Sequence, residues 1–202
     1  MILVIDTSSA TSALALLDAS RKPLREATYP SGRTFDLPAA FRDLVAGEPL
    51  TAVAVATGPG SFTGLRTGVS FGLGLAMGLR IPIFPLPSLR LQSARSEEPV
   101  LAVAEAGRGR VYFLVPGGEE GLAEPGELPK NLPENLQQNL QLVGWLRPAT
   151  QAALSAAGLR LKPEGELRSF GSAASTVLGS ADEVSYGSLR LKYMQSFSAP
   201  RA

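Results

Sequence analysis

Two acidic residues, each closing a short apolar run, are the first candidates for chemistry in this sequence. Asp6 ends Ile2-Leu-Val-Ile and precedes Thr7, Ser8 and Ser9, while Glu105 ends Leu101-Ala-Val-Ala and precedes a turn containing Gly107 and Gly109. An acid at the tip of a buried strand can position a metal ion through water, and small residues in the turn beyond it let backbone N–H groups approach an anion closely. The bland alternative is that each acid merely ends its strand, and both readings stay open at this point. A third feature is Thr57-Gly-Pro-Gly-Ser-Phe-Thr-Gly-Leu-Arg-Thr-Gly68, where a buried strand runs through a Gly-rich turn into a helix. The positive end of that helix suits an anion. It is not a P-loop, because Leu65-Arg66 stands where the Lys-Ser/Thr pair would be. Asp6, Thr7, Ser8, Gly58, Gly60, Ser61 and Glu105 are therefore the residues read as lying near a bound nucleotide, if one is held.

Composition limits what such a site can do. Among 202 residues there is no Cys and no His. That removes disulfides, thiolate nucleophiles, zinc–thiolate sites, imidazole ligands and any Ser–His–Asp triad. Carboxylates, Lys and Tyr remain for acid–base work, and oxygen-ligand ions such as magnesium for metal chemistry; no residue is assigned as a metal ligand of this chain. The net charge is +1, with nine basic and eight acidic residues in positions 1–100 and ten of each in 101–202. A chain that grips nucleic acid by charge needs clustered Lys and Arg, which this one lacks. Arg190, Lys192 and Arg201 have no acidic neighbour after Glu183, and read as a solvated end rather than a contact for RNA or an acidic partner. The uncharged run 69–79 is short of the roughly 20 residues needed to span a bilayer. The opening MILVIDTSSA lacks the basic start of a signal peptide. A soluble, cytoplasmic protein is the expectation.

The elements that must position these residues follow from pattern. Residues 2–5, 12–17, 24–29, 51–57 and 81–84 read as strands, 35–45 and 62–79 as helices, and 88–95 as a short helix. The opening pattern then recurs: Ile2 to Asp6 aligns with Leu101 to Glu105, and without a gap residues 12–16 fall on 111–115. A duplicated α/β unit results, with one lobe over residues 1–98 and a second over 99–202. In the second half, 116–133 reads as loop or irregular edge, 131–140 as a short helix with Leu132, Leu136 and Leu140 on one face, 142–145 as a strand, and 149–157 and 171–179 as helices. Trp145 reads as core. Two acid-bearing hairpins, one per lobe, are the arrangement by which an actin-like ATPase holds ATP phosphates between its halves.

The helix over 62–79 carries Gly64, Gly68 and Gly72 on one face. Glycine inside a helix costs about 1 kcal/mol relative to Ala, so something must approach that face closely. Either the protein's own sheet does so, or a second helix across a subunit interface does. The interface is the favoured reading, because Leu73 and Met77 with Phe62 and Val69 could already cover the sheet. Phe62, Gly64, Leu65, Gly68, Phe71, Gly72 and Leu75 are accordingly expected to form a partner or dimer interface.

Residues 2–16 (ILVIDTSSATSALAL) followed by GPGSFTGLRTGVSFGLGLA at 58–76 resemble the TsaB/YeaZ family of bacterial tRNA threonylcarbamoyladenosine biosynthesis proteins. The resemblance extends through residues 100–113, where Glu105 stands for the family's usual Asp. It is faint from 116 to 187 and returns weakly at Leu191-Lys-Tyr-Met194. Arg33 departs from a His that the family often shows. The resemblance implies an actin-like (ASKHA) α/β fold of two tandem lobes, each with a mixed five-stranded sheet and flanking helices, the second lobe reduced. It implies a non-catalytic scaffold for a TsaD-like subunit, which transfers threonylcarbamoyl to the adenosine beside the anticodon. A TsaE-like ATPase as a further partner, a homodimer when alone, and contact with tRNA only through the complex are also implied. So is the absence of a cofactor of its own, with ATP or ADP and magnesium at the complex interface.

Two other classes compete. An autonomous actin-like phosphotransferase would need intact phosphate and adenosine loops in both lobes and a carboxylate base, whereas the second half offers little beyond Glu105. A peptidase would need a Ser–Lys pair or paired carboxylates, and none of Lys22, Lys130, Lys162 and Lys192 lies in a motif.

Overall fold

A computed structural model describes residues 1–32, 34–132 and 141–192. The first half contains strands β1 (Ile2–Asp6), β2 (Thr11–Leu17) and β3 (Pro23–Pro30), helix α1 (Leu37–Val45), strand β4 (Ala52–Gly58), helix α2 (Phe62–Leu79), strand β5 (Ile83–Pro87) and helix α3 (Ser88–Ser93). The second half contains β6 (Leu101–Glu105), β7 (Val111–Leu114), β8 (Glu120–Ala123), β9 (Gln141–Val143), α4 (Pro148–Ala156), β10 (Arg160–Leu161) and α5 (Phe170–Leu178). The expected helix over 131–140 falls largely on residues outside those described, as do Arg33 and the second half of the 191–194 string.

Each half builds a five-stranded sheet, in the orders β3-β2-β1-β4-β5 and β10-β9-β6-β7-β8. Reading the second from β8, the two orders are the same. In both, the first two strands pair antiparallel, Ile5 opposite Leu14 and Ala104 opposite Tyr112, and the first strand pairs parallel with the fourth. The repeat read from residues 2–16 and 101–115 is therefore a repeat of topology. Two strands lay beyond the sequence pattern: β8, which emerges from the stretch read as loop or edge, and the two-residue β10, too short to show alternation.

The first sheet is buried on both faces, which is why β1 and β4 read as unbroken apolar runs. Leu3, Ile5, Leu14, Leu16, Val53 and Val55 point to α1 and α2. Ile2, Val4, Ala13, Ala15 and Ala54 point to the opposite side, against Leu91 of α3 and Phe170, Ala174 and Val177 of α5. Local chemistry starts the helices where they are needed. Asp36 caps α1 by accepting from the Ala39 amide at 3.0 Å, with Pro38 in the first turn. Ser61 caps α2 by accepting from the Gly64 amide at 3.3 Å, and α2 ends on Arg80 in the left-handed region.

The second sheet has α4 on one face, through Leu154, and α3 on the other, through Leu89. Helix α3 thus serves both sheets, burying Leu91 against the first and Leu89 against the second. A boundary after residue 98 separates the strands of the two sheets but not the packing. Helix α5 covers the first sheet, Val184 bridges to Ile83 at its edge, and Tyr186, Leu189 and Leu191 pack on its α1–α2 side.

Candidate functional site

The hairpin between β1 and β2 and the Gly-rich turn before α2 are brought together in the structure. Asp6 is fully buried; one carboxylate oxygen accepts from the Ser8 amide at 2.8 Å, and the other has no hydrogen-bond partner. Burial pushes the Asp6 carboxyl above its ordinary range, opposed by bonds from the Ser8 side chain and amide and by the charge of Arg95. Thr7, Ser8 and Ser9 are also buried.

What fills the turn is the protein itself. The Ser61 amide donates to the Ser8 carbonyl at 2.7 Å, and the Thr7 hydroxyl donates to the Gly64 carbonyl at 2.7 Å. The Gly58 amide donates to the Ser88 hydroxyl at 3.1 Å, and the Gly64 amide is taken by Ser61. A Cβ on Gly60 would overlap the Ser8 carbonyl, and one on Gly64 the Thr7 carbonyl. Gly58 itself has φ +106°, and the Lys192 carbonyl lies 2.7 Å from where its Cβ would be. The glycines of the string are thus explained by close approach of backbone to backbone, and the N–H groups of Gly58, Ser61 and Gly64 are unavailable to an anion.

Glu105, at the end of β6, is bonded to a different set of residues. One of its oxygens accepts from the Arg147 amide at 2.6 Å and the Thr150 hydroxyl at 2.9 Å, and the other pairs with the Arg147 guanidinium at 3.0 Å. It therefore covers the N-terminus of α4, where a carboxylate is favoured by the exposed amides and the helix dipole. Between the lobes, the Ala10 amide approaches the Trp145 carbonyl at 3.4 Å, and the Trp145 ring packs on Phe170 and lies 4.4 Å from the Arg95 guanidinium. Asp6 is fully buried, and both oxygens of Glu105 are engaged by Arg147 and Thr150. The residues present do not fit the phosphates of a nucleotide held by this chain alone, and among those described no cluster of acidic side chains could hold a metal ion.

The glycine face of α2 requires a correction. Gly68 and Gly72 are buried, and a Cβ there would overlap Thr7 Oγ1 and Val55 Cγ1 respectively, while Gly64 lies against Thr7. Leu65 is buried as well. These four residues face the protein's own sheet, so they cannot form a partner interface. Phe71 and Leu75 are half-buried in the same core, Phe71 meeting the Phe41 ring of α1 edge-on at 5.4 Å between centroids. Phe62 alone of the expected set is exposed, its ring under the Arg66 guanidinium at 3.8 Å. The outward face is a different stripe: Thr63, Thr67, Ser70, Gly74, Met77 and Gly78 are all exposed. A Cβ on Gly74 or Gly78 would meet open space. A signal for it was present, since Gly74 and Gly78 form a second pair spaced by four, offset by two positions from the first series. Arg95 and its partners gave no comparable signal, because they join segments about 70 positions apart. The tail, read as solvated, is tied down at Lys192, whose amide donates to Thr57 and whose Nζ pairs with Glu120 at 2.6 Å.

Comparison with known proteins agrees with this architecture. Residues 43–125 match the model of a family described as TsaD: tRNA N6-adenosine threonylcarbamoyltransferase. The chain is similar to the tRNA threonylcarbamoyladenosine biosynthesis protein TsaB of Bacillus subtilis, 35% identical over 120 residues, covering 55% of this chain and 52% of that protein. It is likewise similar to TsaB of Escherichia coli, 30% identical over 122 residues, covering 55% and 53%. The matched region spans about half the length of these curated relatives. In three dimensions the chain superposes on YeaZ from Pseudomonas aeruginosa with a TM-score of 0.71 at 21% identity, covering 96% of this chain and 99% of that one. The fold, two α/β lobes each with a mixed five-stranded sheet, is that of YeaZ.

Proposed function

We propose that the chain, similar to TsaB proteins in sequence and to YeaZ in fold, is a TsaB-type non-catalytic scaffold that supports a TsaD-like subunit in forming threonylcarbamoyladenosine on tRNA. The observation that carries this reading is the internal use of both acid hairpins. Asp6 is buried and accepts from the Ser8 amide, and Glu105 is held by Arg147 and Thr150. Asp6 is shut away from solvent and Glu105 is committed to the start of α4, which speaks against an autonomous phosphotransferase. Nucleotide and magnesium then belong to the assembled complex, and tRNA is met only through it.

The partner docks on the outer side of α1 and α2. The outward stripe of α2 is small enough for another helix to come near its backbone, with Phe62 and Met77 as exposed apolar anchors. The same face pairs two copies of the chain when the partner is absent, as an isologous dimer. A TsaE-like ATPase joins the larger assembly, which acts in the cytoplasm; no helix among the described residues is long and apolar enough to cross a membrane.

Titrating the chain against a TsaD-like subunit by calorimetry tests the reading. Gly74→Arg should fold normally, since its Cβ meets open space, yet place a long charged side chain in the contact. The expected loss is at least roughly tenfold in affinity, equivalent to about 1.4 kcal/mol. Unchanged affinity would move the partner to another surface, and no complex with the unaltered chain would remove the scaffold role.

A further inference from the structure

We infer that the two lobes form one rigid body, locked where the chain crosses between them, rather than the hinged pair that an actin-like fold uses to open around a ligand. The chain crosses twice, over residues 94–100 and again over 162–169, and the two crossings are stapled side by side. The Arg168 amide donates to the Arg95 carbonyl at 2.7 Å. Arg168 pairs with Glu97 at 2.6 Å, Lys162 pairs with Glu98 at 2.6 Å, and Arg95 pairs with Glu164.

The Arg168–Glu97 pair is exposed, and such a pair contributes little by itself. The two cations that matter are buried: the Arg95 side chain is 3% exposed and that of Lys162 7%. Each takes its carboxylate from the opposite crossing. Parting the crossings would break both pairs together with the Arg168–Arg95 backbone bond, so the contacts are lost as a set rather than one at a time. Arg95 is further held under the Trp145 ring, at the end of the α3 helix whose leucines serve both sheets. A hinge needs a few residues free to change their backbone angles; here both crossings are fixed to one another. On the far side, Lys192 ties Thr57 of the first sheet to Glu120 of the second.

Native-state hydrogen exchange on the full chain tests this, because independent lobes open independently and a locked pair opens together. The slowest amides of β1 and β4 should show the same protection as those of β6 and β7 in the unaltered chain. Replacing both cations, Arg95→Met with Lys162→Met, should uncouple them: β6 and β7 amides should exchange roughly tenfold or more faster than those of β1 and β4, the scale expected for lost charge-assisted bonds. Trp145, the chain's single Trp, should show its emission shift to the red in denaturant before the first sheet unfolds. Should that variant fail to fold, Glu98→Gln with Glu164→Gln alters only exposed carboxylates, and must split the two sheets in the same direction by a smaller factor. Unequal protection in the unaltered chain would overturn the lock. So would variants that accelerate both sheets equally, or neither.

Discussion

Leucine at Gly68 and leucine at Gly74 should have opposite consequences, because one position faces Thr7 and Ile5 and the other faces open space. Overpacking at Gly68 is expected to cost about 1–3 kcal/mol, or roughly 2–12 °C in melting temperature for a chain of this size. Gly74→Leu should leave the melt unchanged or raise it, since it removes up to about 1 kcal/mol of glycine penalty from an exposed helix. Equal losses at both positions would contradict the assigned faces. Asp6 makes a second residue-scale test. Its folded-state carboxyl titrates above the ordinary value of 3.8 because it is buried. The stability that this shift contributes is full below that ordinary value and is lost as pH rises through the raised folded one. Asn at position 6 keeps an acceptor for the Ser8 amide and never ionises. Asp6→Asn should therefore melt progressively higher than the parent as pH climbs from 4 to 8, with the gap closing at the acid end. A gap that is constant with pH would show that Asp6 does not titrate across that range.

At the scale of elements, Glu105 holds the start of α4 through the Arg147 amide and the Thr150 hydroxyl. Glu105→Ala should cost about 0.5–2 kcal/mol, as loss of a helix cap does. Glu105→Gln should cost less, because it keeps an acceptor; equal melting of all three proteins would remove the capping role. Most elements of the first half were legible in the sequence for physical reasons. Doubly buried strands read as apolar runs, and α2 spans the residues its pattern suggested. The duplicated topology was legible from two apolar runs and one acid. The direction of the glycine face was not, because spacing by four says which residues share a face and nothing about what that face meets. Small residues serve a sheet and a partner helix equally well, and only the positions of Thr7, Val53 and Val55 decide between them. Strand β10 was hidden because two residues show no alternation, and the Arg95 staple because its partner Glu164 is distant in sequence.

The whole molecule is a two-lobed body, its hairpins packed on its own backbone, that presents one open helical face. As a scaffold, the molecule leaves the chemistry to a partner. Transfer of labelled threonylcarbamoyl to tRNA, measured with the chain alone, a TsaD-like subunit alone, and the two together with the TsaE-like ATPase, tests that claim most directly. The account predicts no transfer by the chain alone at any concentration, and transfer by the mixture that exceeds the partner alone and is lost with Gly74→Arg. Transfer by the isolated chain, or a mixture no more active than the partner by itself, would contradict it.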